Sequence, residues 1–484
     1  MKKEKGLFRN IFINILYEIL LVLSPLITAP YLARVLGSEG IGVYSYTFSL
    51  VSYFIMIAAL GTYSYATIEI SKNRKDMKTV SKIFFEIEIL TFISTIVCLL
   101  FWWIFSIFYE DYNFYLFIFS FSIIAVFFDI AWLYAGLEKF HLSLSVNFIF
   151  KLLNIILCLT LINSKDDIWL YILIQSLCLL LGNLSMWIFL PKIIVKSKIS
   201  FINLKSHFKN TIIYFIPTIA ATLYTYIDKT LIGIIIEDKK ESGFYEEASK
   251  LISIVKGAFI LGIVHVLSPR MGGLYSENRL LEIKQSIKYT INILLFFCVG
   301  ACFGLIAVSD LLVTLFFGAG FEPTARILCF LSPLIILLAC TKTIGSLYFL
   351  PTGNVNKSTF CLIIGTVINI IFNLFLIPTL STVGAAISTV IAELIILILY
   401  LKKCENIIKG IDIARVLIPK MFVGLIMMSI LLVLNCSLPR NWIGLFIEVI
   451  IGAVIYIILL LLIKDSVFFD ILNIYKITKK EKLL

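Results

Sequence analysis

The chain has 484 residues, of which 60% are apolar and only 15% charged, against roughly 45–50% and about 25% in soluble domains. A soluble core does not need that excess, so lipid must solvate much of the surface. The net charge of +11 would suit nucleic acid, but the basic residues sit in short segments between apolar runs. That is the arrangement of loops meeting anionic headgroups, so nucleic acid is excluded and anionic membrane lipids are expected as partners.

The chain opens with "MKKEKGLFRNIFINILYEILLVLSPLITAP". Its apolar part is longer than that of a signal peptide and further apolar runs follow, so it reads as a first transmembrane helix. At about 20 apolar residues per crossing, about fourteen spans follow in order. They lie near 11–31, 41–66, 83–108, 113–136, 142–163, 168–190, 211–236, 246–268, 289–309, 326–350, 358–378, 382–401, 416–436 and 442–463. The connections are too short for a folded soluble domain.

With the N-terminus in the cytoplasm, the inner segments include "KNRKDMK" (72–78), "PKIIVKSKIS" (191–200), "LKKCENIIKG" (401–410) and "YKITKKEKLL" (475–484). By this assignment about 30 Lys and Arg lie inside and about 6 outside, namely Arg34, Lys165, Lys239, Lys240, Arg326 and Arg440. The outer segments "YEDY", "KDD" and "EDKKES" are acidic instead. The bias supports both the span number and a topology with both termini in the cytoplasm.

The chain also repeats itself. Gly42-Val43-Tyr44 recurs as Gly243-Phe244-Tyr245, and "LLNIIL" (152–157) matches "VINIIF" (367–372), shifts of about 200 residues. The expected fold is an all-α polytopic membrane protein of two pseudo-symmetric six-helix bundles, 1–205 and 206–410, related by an axis along the membrane normal. Residues 411–484 add two transmembrane helices and a basic cytoplasmic tail.

Ten cysteines lie mostly within apolar runs and read as small hydrophobes. The three histidines, His141, His207 and His265, have no partner at ligand spacing, so no metal site is expected. Pro25 and Pro30 interrupt the first span and Pro217 the seventh, where each is expected to bend its helix.

Eight charged residues fall well inside spans: Glu18, Asp129, Lys151, Asp228, Lys229, Lys256, Lys342 and Glu393. Facing lipid they would cost on the order of 20–28 kcal/mol, more than a usual net stability of roughly 5–15 kcal/mol. Most must therefore face protein or trapped water. Asp228 and Lys229 are about 100° apart around a helix and do not face each other, so each needs another partner. Glu246 and Lys250 stand at i,i+4 and are expected to pair. The set reads either as buried pairs that fix helix register, or as the lining of a water-filled basic cleft that attracts an anion such as diphosphate. In the second case Glu18, Asp129, Asp228 and Glu393 either bind a coupling ion or hold the lysines in place.

"APYLARVLGSEGIGVYSYTFSLVSYFIMIAALG" (29–61), "IDKTLIG" with "ESGFYEEASKL" (227–251), "LSPRMGGLYSEN", "LFFGAGFEPTARIL" and the segment 350–393 resemble, in order and spacing, the Wzx-type oligosaccharide flippases. Those belong to the larger superfamily that contains the multidrug and toxin exporters. The resemblance covers about residues 10–400. It implies a flippase of undecaprenyl-diphosphate-linked repeat units in the bacterial cytoplasmic membrane, working by alternating access between synthesis by glycosyltransferases and polymerisation by a polysaccharide polymerase. It also implies a basic central cavity, with Arg34, Lys151, Lys229, Lys256 and Lys342 as candidates. Tyr44, Tyr224, Tyr226 and Tyr245 either stack on sugar rings or belong to interfacial tyrosine belts. No cofactor is expected, and Na⁺, H⁺ or mass action is left open as the driving force.

Other readings fit less well. A cation-coupled drug exporter would suit about twelve spans and a less basic cavity. A membrane glycosyltransferase or polymerase would need more than the Asp166-Asp167 pair, which sits in a loop of a few residues, so no enzyme is expected. "GNVNKST" (353–359) lacks the glycine before its lysine and is flanked by spans, which rules out a phosphate-binding loop. A scaffold for the assembly machinery would leave the intramembrane charges unexplained.

Overall fold

The structure, a computed structural model, describes residues 2–195, 201–277, 279–404 and 410–468. The side chain of Glu18 and the basic tail 475–484, both singled out above, lie outside what is described. The described elements are helical throughout, as the apolar runs require: in lipid a spanning segment must satisfy its own backbone hydrogen bonds.

The chain divides into two compact units, Met1–Glu246 and Glu247–Leu484. The first holds α1 (Lys2–Ala59), α2 (Thr62–Asn73), α3 (Met77–Phe108), α4 (Asn113–Phe127), α5 (Ala131–Gly136), α6 (Phe140–Leu161), α7 (Ile168–Met186) and α8 (Phe201–Ile235). Helix α9 (Lys239–Val255) contains the boundary. The second unit holds α10 (Gly262–Ser276), α11 (Leu280–Phe317), α12 (Glu322–Leu331), α13 (Pro333–Ile344), α14 (Val355–Lys403), α15 (Gly410–Leu434) and α16 (Trp442–Leu462). The boundary of compactness thus falls some forty residues after the expected repeat boundary, because α8 packs on α1, α2 and α3.

Among the described residues, 10 helical stretches are long and apolar enough to cross a membrane, or 11 with the bent pair Glu322–Leu331 and Pro333–Phe349. The sequence reading of about fourteen spans differs for a geometric reason. Two stretches each contain two helices that meet at a non-helical residue, Gly37 (φ 70, ψ 175) in α1 and Ser381 (φ 54, ψ −141) in α14. The break in α1 therefore falls at Gly37, where left-handed backbone favours glycine, and not at Pro25 or Pro30, which stay inside the helix. Pro217 likewise stays inside α8.

In the first unit α1 packs against α3, α4, α6 and α8, and α6 against α7. Trp102 is fully buried and its indole N–H donates to the Leu116 carbonyl at 2.9 Å, tying α3 to α4. In the second unit α11 packs against α12, α13, α15 and α16. The outward faces remain apolar: Phe108 is 82% exposed, Val433 73% and Leu462 71%. Such residues are stable there only against lipid. All ten cysteines are free thiols, and eight of them are buried.

Candidate functional site

Asp228 and Lys229, the acid and base side by side in the seventh span, find separate partners within the first unit. Asp228 is 5% exposed, and its Oδ2 accepts from the Tyr245 hydroxyl at 2.8 Å. Lys229 points to a different face and pairs with Glu246 Oε2 at 2.5 Å, the same oxygen that accepts from the Ser45 hydroxyl at 2.9 Å. Its amine also lies 5.8 Å from the centre of the Tyr226 ring. Lys250, expected to pair with Glu246 at i,i+4, bonds to Glu247 at 2.8 Å. One face of α8 is fastened further by Thr230, whose hydroxyl donates to Ser49 at 2.9 Å and hydrogen bonds with Tyr53 at 2.7 Å.

Lys151 has different surroundings. It sits on α6 in a polar pocket of about 420 Å³ within the first unit, with Asp129 and Tyr63 also on the wall. Asn147, Asn154, Gln175 and Asn183 add four amide side chains. Among the described residues no carboxylate lies within ion-pair distance of the Lys151 amine. Asn183 uses its amide on the Ala125 carbonyl at 2.8 Å, and Asp129 Oδ1 accepts from the Ala131 N–H at 3.0 Å. Among the described residues Asn147 and Gln175 make no such bond, so an amine and two amides are presented to the pocket. An unpaired cation with amide neighbours in a low-dielectric wall is suited to an anionic, hydroxyl-bearing ligand.

The remaining candidates lie in both units. Arg34 on α1 and Lys342 on α13 are exposed, and Lys256 is half-buried at the start of a π-helical turn, Lys256–Leu261. Glu393 is 2% exposed and accepts from the Thr341 hydroxyl. Tyr44 packs in an aromatic cluster, with its ring 4.5 Å from that of Tyr171 and 5.5 Å from that of Phe48, and Tyr226 meets Phe48 edge-on at 5.8 Å. Tyr245 is buried against Asp228, and Tyr224 is half-buried on α8. The structure thus gathers Tyr226, Asp228, Lys229 and Tyr245 into one cluster and Asp129 and Lys151 into one pocket.

Several charged residues escaped the sequence reading. In "FEIEIL" (85–90) two glutamates sit inside the third span. Glu86 Oε2 lies 3.1 Å from His207 Nε2, and His207 Nδ1 hydrogen bonds with the Tyr65 hydroxyl at 2.6 Å. Glu88 is 6% exposed, and neither of its oxygens has a hydrogen-bond partner among the described residues. In the second unit Lys420 Nζ donates to Asp465 Oδ2 at 2.7 Å and to Asn292 Oδ1 at 2.8 Å. That unit also carries an apolar pocket of about 430 Å³ with Phe259, Phe297, Met427, Leu431 and Val449 on its walls.

Comparison with known proteins adds an independent line. A family described as polysaccharide biosynthesis protein matches residues 7–274. A protein of Escherichia coli (strain K12) that is named as an O-antigen transporter is 26% identical over 396 residues, covering 79% of this chain and 93% of that protein. Among solved structures, the lipid II flippase MurJ in an inward closed conformation superposes with a TM-score of 0.75 at 17% identity, covering 96% of this chain and 99% of that one. An inward-facing multidrug resistance transporter of the MATE family gives 0.62 at 13% identity, covering 86% and 95%. At these identities the two structures establish a shared fold.

Proposed function

The chain belongs to the polysaccharide biosynthesis protein family, and from that premise we propose that this multi-pass membrane protein is a flippase for polyprenyl-diphosphate-linked glycan. It moves oligosaccharide repeat units from the inner to the outer leaflet of the bacterial cytoplasmic membrane, for surface polysaccharide assembly. The observation that carries the reading is Lys151: among the described residues, an amine without a carboxylate at ion-pair distance, in a pocket lined also by four amide side chains. A drug exporter for lipophilic cations would be poorly served by a free amine, which repels such a substrate. A diphosphate supplies the missing anion, and sugar hydroxyls supply partners for Asn147 and Gln175.

The apolar pocket bounded by α11, α15 and α16 has the chemistry to hold hydrocarbon, which suits the isoprenoid part of such a substrate. Alternating access between the two repeats, with both termini in the cytoplasm, completes the reading. The relatives reported above are named as transporters and flippases, and the function is transport rather than catalysis.

The test is surface glycan in cells whose only copy carries Lys151→Ala. Loss of export with normal membrane insertion is expected, whereas accumulation of cationic dyes should not change. Full export by the triple variant Lys151→Ala, Lys229→Ala, Lys256→Ala would falsify a basic route for the headgroup.

A further inference from the structure

The pocket of the first unit holds two opposite charges that do not meet. Ser143, Asn147, Lys151 and Asn154 recur at steps of four, four and three residues, so one face of α6 carries a polar stripe along the pocket wall. Asp129, at the junction of α4 and α5, lies on the wall of the same pocket. Its Oδ1 accepts from the Ala131 N–H at 3.0 Å, which fixes the carboxyl group in place. Among the described residues its Oδ2 has no hydrogen-bond partner. Asp129 is half-buried, so this second oxygen opens on the pocket.

Two contacts set the depth of each charge. An added Cβ on Gly182 would stand 3.4 Å from the Phe150 side chain, so Phe150 lies level with Gly182. The Trp187 indole N–H donates to the Phe128 carbonyl at 3.0 Å, so Phe128 lies level with Trp187. From Gly182 to Trp187 a helix advances roughly 7–8 Å. Lys151, beside Phe150, and Asp129, beside Phe128, thus occupy different depths, and among the described residues no ion pair joins them. Elsewhere this chain pairs its inner charges directly, Lys229 with Glu246 at 2.5 Å and Lys420 with Asp465 at 2.7 Å. An amine and a carboxylate held apart along one polar wall suit a ligand that is anionic at one end and hydroxylated at the other. Phe140 and Phe150 add apolar surface for the C–H face of a sugar ring.

We propose that Asp129 is a specificity-determining residue: it accepts hydrogen bonds from two adjacent hydroxyls of a neutral sugar, the one that follows the diphosphate seated on Lys151. A carboxylate accepts through both of its oxygens. A hydroxyl that donates to it makes a charge-assisted bond, worth roughly tenfold to a hundredfold in affinity. A sugar acid in that place brings a second carboxylate against the first, and the like charges reject it. The substrate class is then a repeat unit whose sugar nearest the diphosphate is uncharged. The diphosphate at Lys151 rests on the flippase reading, but the hydroxyl contact at Asp129 does not.

The experiment uses the full chain purified into lipid nanodiscs. Three probes are titrated: a short polyprenyl diphosphate, its hexosyl conjugate and its hexuronyl conjugate. The unmodified protein should bind the hexosyl conjugate at least about tenfold tighter than either of the others. Asp129→Asn, which keeps an acceptor for the Ala131 N–H, should narrow that preference. Lys151→Ala should weaken all three probes and keep it. A fourth probe needs no variant: a deoxyhexosyl conjugate stripped of adjacent hydroxyl pairs should bind the unmodified protein no tighter than the bare diphosphate. A hexosyl preference unchanged in Asp129→Asn would overturn the proposal, even if all three affinities fell by one factor. So would a hexuronyl conjugate that binds tightest to the unmodified protein, or a deoxyhexosyl conjugate that keeps the full gain. If none of the lipids binds the unmodified protein, the flippase reading of Lys151 fails, and the sugar contact is decided by an alkyl hexoside against an alkyl hexuronide, which carry no diphosphate. A hexoside preference lost in Asp129→Asn would support it, and the absence of such a preference would overturn it.

Discussion

Gly42 and Gly243, the glycines of the two repeated motifs, face each other at backbone contact. A Cβ on Gly42 would overlap the Lys239 carbonyl oxygen and stand 3.1 Å from Gly243 N, and one on Gly243 would overlap the Ser38 carbonyl oxygen and stand 3.1 Å from Gly42 N. Small residues let helix backbones approach in lipid, where dispersion contacts rather than hydrophobic burial hold helices together. Gly42→Ala or Gly243→Ala must push α1 and α9 apart. Each is expected to cost at least about 1–3 kcal/mol, read as a lowered melting temperature of the purified protein. A melting point unchanged in both would show that the contact carries no stability.

Lys229 and Glu246 form a pair whose side chains are only 17% and 9% exposed. Lys229→Ala takes the amine from Glu246 and leaves that carboxylate to its other partners, Ser45 among them, so a cost of up to roughly 3–5 kcal/mol is expected. The double variant Lys229→Met, Glu246→Leu should recover much of that loss. This cycle also separates two roles for Lys229. If the double variant restores stability and glycan export together, the lysine serves the fold. Restored stability with export still absent would assign it to the transport route.

In the second unit Lys420, fully buried, is shared by Asp465 at 2.7 Å and Asn292 at 2.8 Å, while the Asn292 amide donates to Ser466 at 2.9 Å. The amine thereby joins α15, α11 and the segment after α16. Lys420→Ala leaves an uncompensated acid in the interior, and a loss of roughly 3–5 kcal/mol is expected. Limited proteolysis should then cut first near residue 465. An unaltered digestion pattern would count against the anchoring role.

Asp76 caps α3 from outside the spans: its carboxylate accepts from the Thr79 hydroxyl at 2.5 Å and from the Lys78 N–H at 3.0 Å. The Thr79 hydroxyl first, and the Lys78 amide second, hold its pKa below the usual carboxylate range. The folded state therefore favours the ionised form. Its contribution to stability is complete above the ordinary carboxyl range and is lost as the pH falls through the lowered value. Asp76→Ala should lower the melting temperature at neutral pH, and its difference from the unmodified protein should shrink in acid. A difference that grows in acid would contradict this sign.

Composition and hydropathy alone determined the class of the molecule, its helical spans, and the fact that a few charges must lie inside the bilayer. These are local properties: whether twenty consecutive residues suit lipid does not depend on what folds beside them. The motif of Gly42 and Gly243 was visible for the same reason, since a small residue recurring in a repeat signals close approach wherever its partner lies. The breaks at Gly37 and Ser381 were less visible, because a φ near +60 in a long apolar run leaves only a weak trace in sequence. The tertiary structure alone decided what each buried charge does. Lys229 finds Glu246 across the turn into the next helix, Glu86 finds His207 121 residues away, and Lys420 finds Asn292 at a separation of 128. Among the described residues Glu88 has no hydrogen-bond partner and Lys151 no carboxylate within ion-pair distance. An intramembrane charge announces only that it needs a counterpart. Whether the counterpart is a fixed side chain, a proton or a passing headgroup depends on helices brought together from distant parts of the chain.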